Sequence, residues 1–322
     1  MKKLFCVMLT VLMIVSLFAG CGAKADDGVY KVAIVQQLDH ASLNEIRAAI
    51  EAQLDVIAAE KGIKIEYKDF NGQNDTSVLS QIGSQVVSDG YDLIIPIATL
   101  AAQYSVTAAE GKNIPIVYAA VSDPVEAGLT GMSNVTGVSD ALNTPFILDM
   151  MLSIDPEVQT VGLLYSNSEP NSVTPIKEAK AYLDAKGIAY IEKTGNTADE
   201  VITAASALVG RCDAVFTPTD NAIMNVAPSV AEILTNGGIP HYAGADSFVM
   251  SGSFATCGVN YTELGTYTAT MAMDILLGGA VPEFHVMDGG IITVNSTTAD
   301  ALNIDYSVFN ALASTVTAVT LD

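Results

Sequence analysis

One order of segments, strand then helix, runs through the chain and then starts again. KVAIVQ (31–36) reads as a buried strand, and the next stretch places Leu43, Ile46, Ile50, Leu54 and Ile57 on one helical face. Ser42 and Glu45 stand at capping-box spacing where that helix begins. IKIEYKDF (63–70), LIIPIA (93–98) and IPIVYAAV (114–121) are further strands, each separated from the last by one helix. The order then returns with TVGLLYS (160–166), IAYIEKT (188–194), DAVFTPTD (213–220) and IPHYAGA (239–245). Helices are expected near 175–186 and 199–209, with another broken near Pro228. Asp92 and Asp213 open equivalent strands, and Ile114-Pro115 and Ile239-Pro240 open the next ones. Strands joined by single helices make βαβ units, parallel sheets and right-handed crossovers. A period of over about 120 residues is too long for a stacked repeat. The expected fold is therefore α/β: two similar Rossmann-like lobes with parallel sheets.

GVSDALNTP (137–145) is the expected crossing between lobes. FATCGVN (254–260) and a helix from Glu263 to Leu277 should return to lobe one, and IITVNS with the tail should go back to lobe two. The expected domains are a signal at 1–20, a lipidated linker at 21–29, lobe one at 30–140 plus about 254–280, and lobe two at 141–253 plus about 281–322.

The N-terminus carries its own message. Lys2 and Lys3 precede an apolar run from Leu4 to Phe18, and Ala19-Gly20-Cys21-Gly22 follows. That is the layout of a secretory signal. A cysteine after Ala-Gly resembles a bacterial lipobox, with Phe18 where Leu is usual. Cys21 would then be lipidated and become the mature N-terminus, placing the protein outside the cytoplasm on a lipid tether. The run is near the short end for an uncleaved membrane span.

Net charge is -22, from 14 Lys and Arg against 36 Asp and Glu. Such a surface repels nucleic acid and anionic headgroups. The acidity is spread along the chain, as on a solvated surface of a secreted protein. With Cys6 in the signal and Cys21 lipidated, Cys212 and Cys257 remain, as buried thiols or as a bridge. His40, His241 and His285 are scattered, so no metal site and no cofactor is read. G-x-S-x-G, P-loop, dinucleotide and H-E-x-x-H motifs are absent, so no catalytic residues are assigned.

In open parallel sheets, ligands collect at the carboxyl ends of strands, where helix N-termini point in. Those positions here are rich in Ser, Thr, Asn and Asp, with lysine nearly absent and arginine absent. Each such residue also makes an ordinary helix cap. Their concentration on one edge of both lobes is what suggests a site for a small polar molecule. His40 reads as a hydrogen-bonded structural group rather than a catalyst.

Several segments carry a family resemblance: Gln36…His40-Ala-Ser-Leu-Asn44, IATLAAQ (97–103), VYAAVSDPVEAGL (117–129), NVTGVSD (134–140), YSNSEPNS (165–172), PTDN (218–221) and YTELGTYTATMA (261–272). Together, and in order over the whole mature chain, they resemble the ABC-transporter substrate-binding lipoproteins of the tryptophan/tyrosine-type group. The resemblance implies two hinged lobes of periplasmic-binding-protein type I architecture and a ligand in the cleft. The chain departs from the family pattern at His40-Ala-Ser-Leu-Asn44, at Leu100 and at Asn260-Tyr261-Thr262. The first two changes fall on the expected pocket wall. On this reading the chain is a monomeric solute-binding lipoprotein that captures an amino-acid-like ligand, aromatic by family, and passes it to ABC permease subunits. Expected ligand contacts are Gln36, Thr99, Asp123, Asn171, Ser172, Asp220 and Asn221, with Asp220 and Asp123 facing a ligand ammonium. The rival readings are a sensor feeding a membrane receptor and a secreted hydrolase or isomerase on the same fold. A transcription-factor core is argued against by the signal and by the absence of a DNA-binding segment.

Overall fold

The computed structural model describes residues 28–321. The signal, Cys21 and most of the linker lie outside the described residues.

The first half runs β1 (Val29–Gln36), α1 (Ala41–Lys61), β2 (Lys64–Asn71), α2 (Thr76–Ser88), β3 (Leu93–Ile97), α3 (Thr99–Ala108), β4 (Ile116–Ala119) and β5 (Val135–Ser139). The chain then enters the second half through α4 (Thr144–Ile154). There it continues with β6 (Thr160–Tyr165), α5 (Val173–Lys186), β7 (Ala189–Thr194), α6 (Ala198–Ser206), β8 (Ala214–Thr217), α7 (Asn221–Met224), α8 (Ala227–Asn236), β9 (His241–Ala243), α9 (Asp246–Met250) and β10 (Ala255–Gly258). The remainder is α10 (Tyr261–Leu276), β11 (His285–Val286), β12 (Ile291–Asn295), α11 (Ser296–Leu302) and β13 (Thr315–Val319). One sheet has the order β11-β5-β4-β3-β1-β2, and the other β13-β12-β10-β9-β8-β6-β7. Numbered within its own lobe, each core is therefore 2-1-3-4-5. All pairs are parallel except β10 with β12.

The echo between halves has a physical basis. The Asp92 carboxylate accepts the Lys31 N–H at 3.0 Å, and the Asp213 carboxylate accepts the Gln159 and Thr160 N–H groups at 2.9 and 2.8 Å. Each aspartate thus satisfies the entry of the lobe's first strand from the loop before its third. The two Ile-Pro segments match as well: Ile94 N–H donates to Pro115 O and Val215 N–H to Pro240 O, both at 3.0 Å.

Three expectations need correction. The segment 254–260 does not return to lobe one: β10 pairs with β9 and β12 in the second sheet. The short α9 crossover sets it down beside β9. The return begins with α10, which packs on α1 through Gly265, where a Cβ would stand 2.5 Å from Ile46 O. The chain also stays longer than expected, because β11 adds to β5 in the first sheet before β12 and β13 join the second. Finally, Ser42 and Glu45 form no capping box: His40 is the N-cap of α1 and makes no capping bond. Cys212 and Cys257 are buried and unbridged.

Candidate ligand-binding site

Both 2-1-3-4-5 sheets turn their strand carboxyl ends toward one interlobe cavity, where the topology places a switch point. Lobe one contributes His40, Ser42, Thr99, Ser122 and Asp140; lobe two contributes Asn171, Thr219, Asp220, Asn221 and Ser247. Leu43, Met224, Phe248 and the ring of Tyr261 form apolar wall. Ala98 and Ala120, at the ends of β3 and β4, have φ of 77° and 54° and also line it. Left-handed alanine is strained, and such strain concentrates where a backbone must approach a ligand. The space between the walls is about 380 Å3 including the mouth, of which about 30 Å3 is open to the centre of a water molecule. That admits about two waters. An amino acid needs the walls or the lobes to give way.

Buried polar atoms are normally paired. Ten buried side-chain atoms among the described residues have no partner, and four line this one cavity: His40 Nδ1, Thr99 Oγ1, Asn171 Oδ1 and Ser247 Oγ. They supply donors and an acceptor whose hydrogen bonds the protein itself leaves unmade.

Two buried aspartates stand on opposite walls. Asp220 is 0% exposed and fully engaged: Oδ2 accepts Ser166 N–H at 2.6 Å and Ser172 Oγ–H at 2.7 Å, and Oδ1 accepts Ile223 N–H at 3.0 Å. Asp140, 5% exposed, is held by two hydroxyls, Ser122 at 3.0 Å and Tyr261 at 3.4 Å, and by its own backbone N–H. Burial raises both carboxyls above their ordinary range. A third buried carboxyl, Glu169, sits behind the cavity and is pushed up to about 8, by burial first and by Asp220 second. Burial lowers His40 to about 4, although its Asn221 bond and Asp39 oppose this, so its ring is neutral at physiological pH.

The lobes touch across the cleft. Side-chain bonds link Gln37 to Glu169 (3.0 Å), His40 to Asn221 (3.2 Å), Ser42 to Asp246 (3.2 Å), Ser122 to Thr219 (3.1 Å) and Thr174 to Asp123 (2.6 Å).

Of the residues singled out in the sequence, Thr99, Asn171, Asp220 and Asn221 meet at the cavity. Ser172 lies one layer behind, donating to Asp220. Gln36 and Asp123 are not among the lining residues. Gln36 donates to Leu38 O, Asp39 and Asn44, shaping the loop that carries His40. Asp123 accepts from Val125 and Glu126 N–H in its own turn and from Thr174 of the other lobe. Asp140, His40, Ser247, Phe248 and the Gln37–Glu169 bond were not among the expected ligand contacts. His40 and Asp140 lie inside segments that carried the family resemblance, so those two were within reach.

Two lobes closing on a cavity of unpartnered polar atoms and apolar wall define a solute-binding protein. A family model for ABC transporter substrate binding protein matches residues 31–315. The chain belongs to that family, whose members are extracytoplasmic solute binders rather than enzymes. It is 32% identical to a tyrosine-binding protein of Clostridioides difficile, over 94% of this chain and 93% of the other. It is similar to a Streptococcus pneumoniae ABC domain in complex with L-Trp, at 29% identity and TM-score 0.82, covering 89% of this chain and 99% of that one. It is also similar to the ligand-free, open structure of a Clostridium difficile substrate-binding protein with adhesive properties, at 32% identity and TM-score 0.68, covering 91% and 100%. The better overlay goes with the ligand complex although the open structure has the higher identity.

Proposed function

We propose that this chain captures an amino acid with an aromatic side chain in the interlobe cavity and delivers it to an ABC importer from a lipid tether at Cys21. The observation that carries the ligand class is the set of unpartnered polar atoms beside Asp140, facing apolar Leu43, Met224, Phe248 and Tyr261. An amino acid presents an ammonium, a carboxylate and a side chain. Asp140 takes the ammonium, because its carboxylate keeps accepting capacity and a buried ammonium needs a negative partner. Thr99 and Ser247 hydroxyls and the neutral His40 ring meet the carboxylate, and Asn171 and Asn221 complete the lobe-two wall. Asp220 and Ser172 hold that wall in shape. The names of the two relatives, one tyrosine-binding and one solved with L-Trp, support an aromatic side chain. Binding proceeds by parting and closing of the lobes about the strands that cross between them.

The test is a thermal-shift screen of the mature protein against single amino acids. L-Tyrosine and L-tryptophan are expected to stabilise it, by about 2.7 kcal/mol at a hundred times the dissociation constant. Stabilisation by a sugar and by no amino acid would overturn the ligand class. For the tether, Cys21→Ser is expected to release the protein from the membrane or block processing; native protein retaining an unmodified Met1 would refute it.

A further inference from the structure

Behind the cavity, one file of side chains crosses the cleft twice. Gln37 donates through Nε2 to Glu169 Oε1 (3.0 Å), Asn221 Nδ2 donates to Glu169 Oε2 (2.9 Å), and Asn221 Oδ1 meets His40 Nε2 (3.2 Å). At the end of the file His40 Nδ1 is buried, unpartnered and on the cavity wall. Gln37 has no freedom in this arrangement: its amide also donates to Asn74 Oδ1 at 2.9 Å and accepts Leu100 N–H at 3.2 Å. Asn221 does have freedom, since a half-turn of its amide exchanges a donor for an acceptor of nearly the same shape.

We propose that the protonation state of Glu169 decides, through Asn221, whether His40 offers the ligand a hydrogen-bond donor or an acceptor. This rests on the reading of the cavity as the ligand site. With Glu169 ionised, Asn221 points its NH2 at the carboxylate and its oxygen at His40. His40 must then carry its proton on Nε2, leaving Nδ1 a bare acceptor. With Glu169 protonated, its O–H donates to Asn221 Oδ1, the amide turns, and Nδ2–H donates to His40 Nε2. The His40 proton then sits on Nδ1 and points into the cavity. One proton is taken up from solvent at Glu169, and His40 stays neutral throughout, exchanging its ring proton with solvent.

The charges around the file favour this. Glu169 faces the carboxyl of Asp220, and no lysine or arginine is in the file. Burial and Asp220 push Glu169 up to about 8, while burial keeps His40 down at about 4 against the pull of Asp39 and Asn221. Glu169 therefore changes charge near physiological pH while His40 does not. Closure that raises the Glu169 pKa takes up a proton. It is favoured below the open-cleft value and weakens as pH rises toward about 8. Glu169 is a positioning residue: the group that touches ligand is His40.

The test uses the full mature protein with the lobes cross-linked through Ser122→Cys and Thr219→Cys, whose hydroxyls meet at 3.1 Å across the cleft. Histidine ring 15N spectra of this ligand-free protein are recorded from about pH 6 to about pH 9. His40 is expected in the Nδ1–H form at low pH and the Nε2–H form at high pH. Glu169→Gln mimics the protonated carboxyl and is expected to hold Nδ1–H throughout. A His40 tautomer constant across the range in the parent, or a Glu169→Gln protein that switches like the parent, would overturn the proposal. The parent spectra decide it alone should the variant not fold. In protein without the cross-link, L-tyrosine affinity is expected to weaken up to tenfold per pH unit in this window in the parent, and less in Glu169→Gln. Asp140 and Asp246 are common to both proteins, so the difference reads Glu169 together with Asp220, the carboxyl it faces. A tautomer switch in the cross-linked protein, with no amino acid bound by the protein lacking the cross-link, would refute the ligand reading and leave the coupling standing.

Discussion

Asp140 and Asp220 are both buried, both end a strand-to-helix region and both line the same cavity, yet their surroundings are opposite. Asp220 is surrounded by donors that cannot turn away: two backbone N–H groups and one short hydroxyl bond. Asp140 has one fixed donor, its own backbone N–H, and two hydroxyls, which can rotate and become acceptors. The first carboxylate is part of the wall, and the second has bonding capacity left for a visitor. On the proposed reading, the same amino acid at the carboxyl edges of two similar lobes does structural work in one and ligand work in the other. The number of fixed donors around it decides which.

Substitution breaks the pair apart. Asp140→Asn is expected to weaken L-tyrosine binding by about 2–5 kcal/mol, the usual cost of removing one partner of a buried charge pair. Its ligand-free stability should change by less than about 1 kcal/mol, because Ser122 and Tyr261 can turn their hydroxyls. Calorimetry and urea unfolding on the same preparation read both numbers. Asp220→Ala should show the reverse weighting. It strands the Ser166 and Ile223 N–H groups and the Ser172 hydroxyl, at a cost of about 3 kcal/mol in urea unfolding. A stable Asp220→Ala with full loss of binding would exchange the two roles.

The smallest effect concerns the rim. Asp123 and Thr174 join the lobes away from the cavity. Thr174→Val should lower affinity by about 0.5–1.5 kcal/mol, one hydrogen bond, through closure alone. Unfolding of the ligand-free, open protein should be unaffected. The Asp123 carboxyl is already held low by Thr174 and its own turn N–H groups, which outweigh its burial. Its part in closure is therefore present above the ordinary carboxylate range and fades as pH falls through its lowered pKa. Affinity measured at decreasing pH in parent and Thr174→Val should converge.

Most of the fold was legible because its signals are local. Buried strands, single helices between them and the paired Asp92 and Asp213 all follow from short windows of sequence. The errors arose where a local pattern has two outcomes. FATCGVN is an apolar run that suits either sheet, and only its pairing with β9 and β12 settles which. Ser42 and Glu45 have capping-box spacing, but Ser42 lies inside α1 and donates to Asp246 of the other lobe. The site was legible as a strand-end edge and not as a cavity. Gln37 and Glu169 stand 132 residues apart, and nothing near either one announces the other. Asp123 and Asp220 looked alike in sequence, because a carboxylate's use depends on donors that the fold brings from elsewhere.

The central claim is that Asp140 receives the ligand's ammonium inside the interlobe cavity. A calorimetric cycle tests it: L-tyrosine and its analogue lacking the amino group, each titrated into the parent and into Asp140→Asn. The account predicts strong non-additivity, in which removing the ammonium or the carboxylate alone weakens binding and removing both costs little more. Additive losses, or full affinity for L-tyrosine in Asp140→Asn, would contradict it.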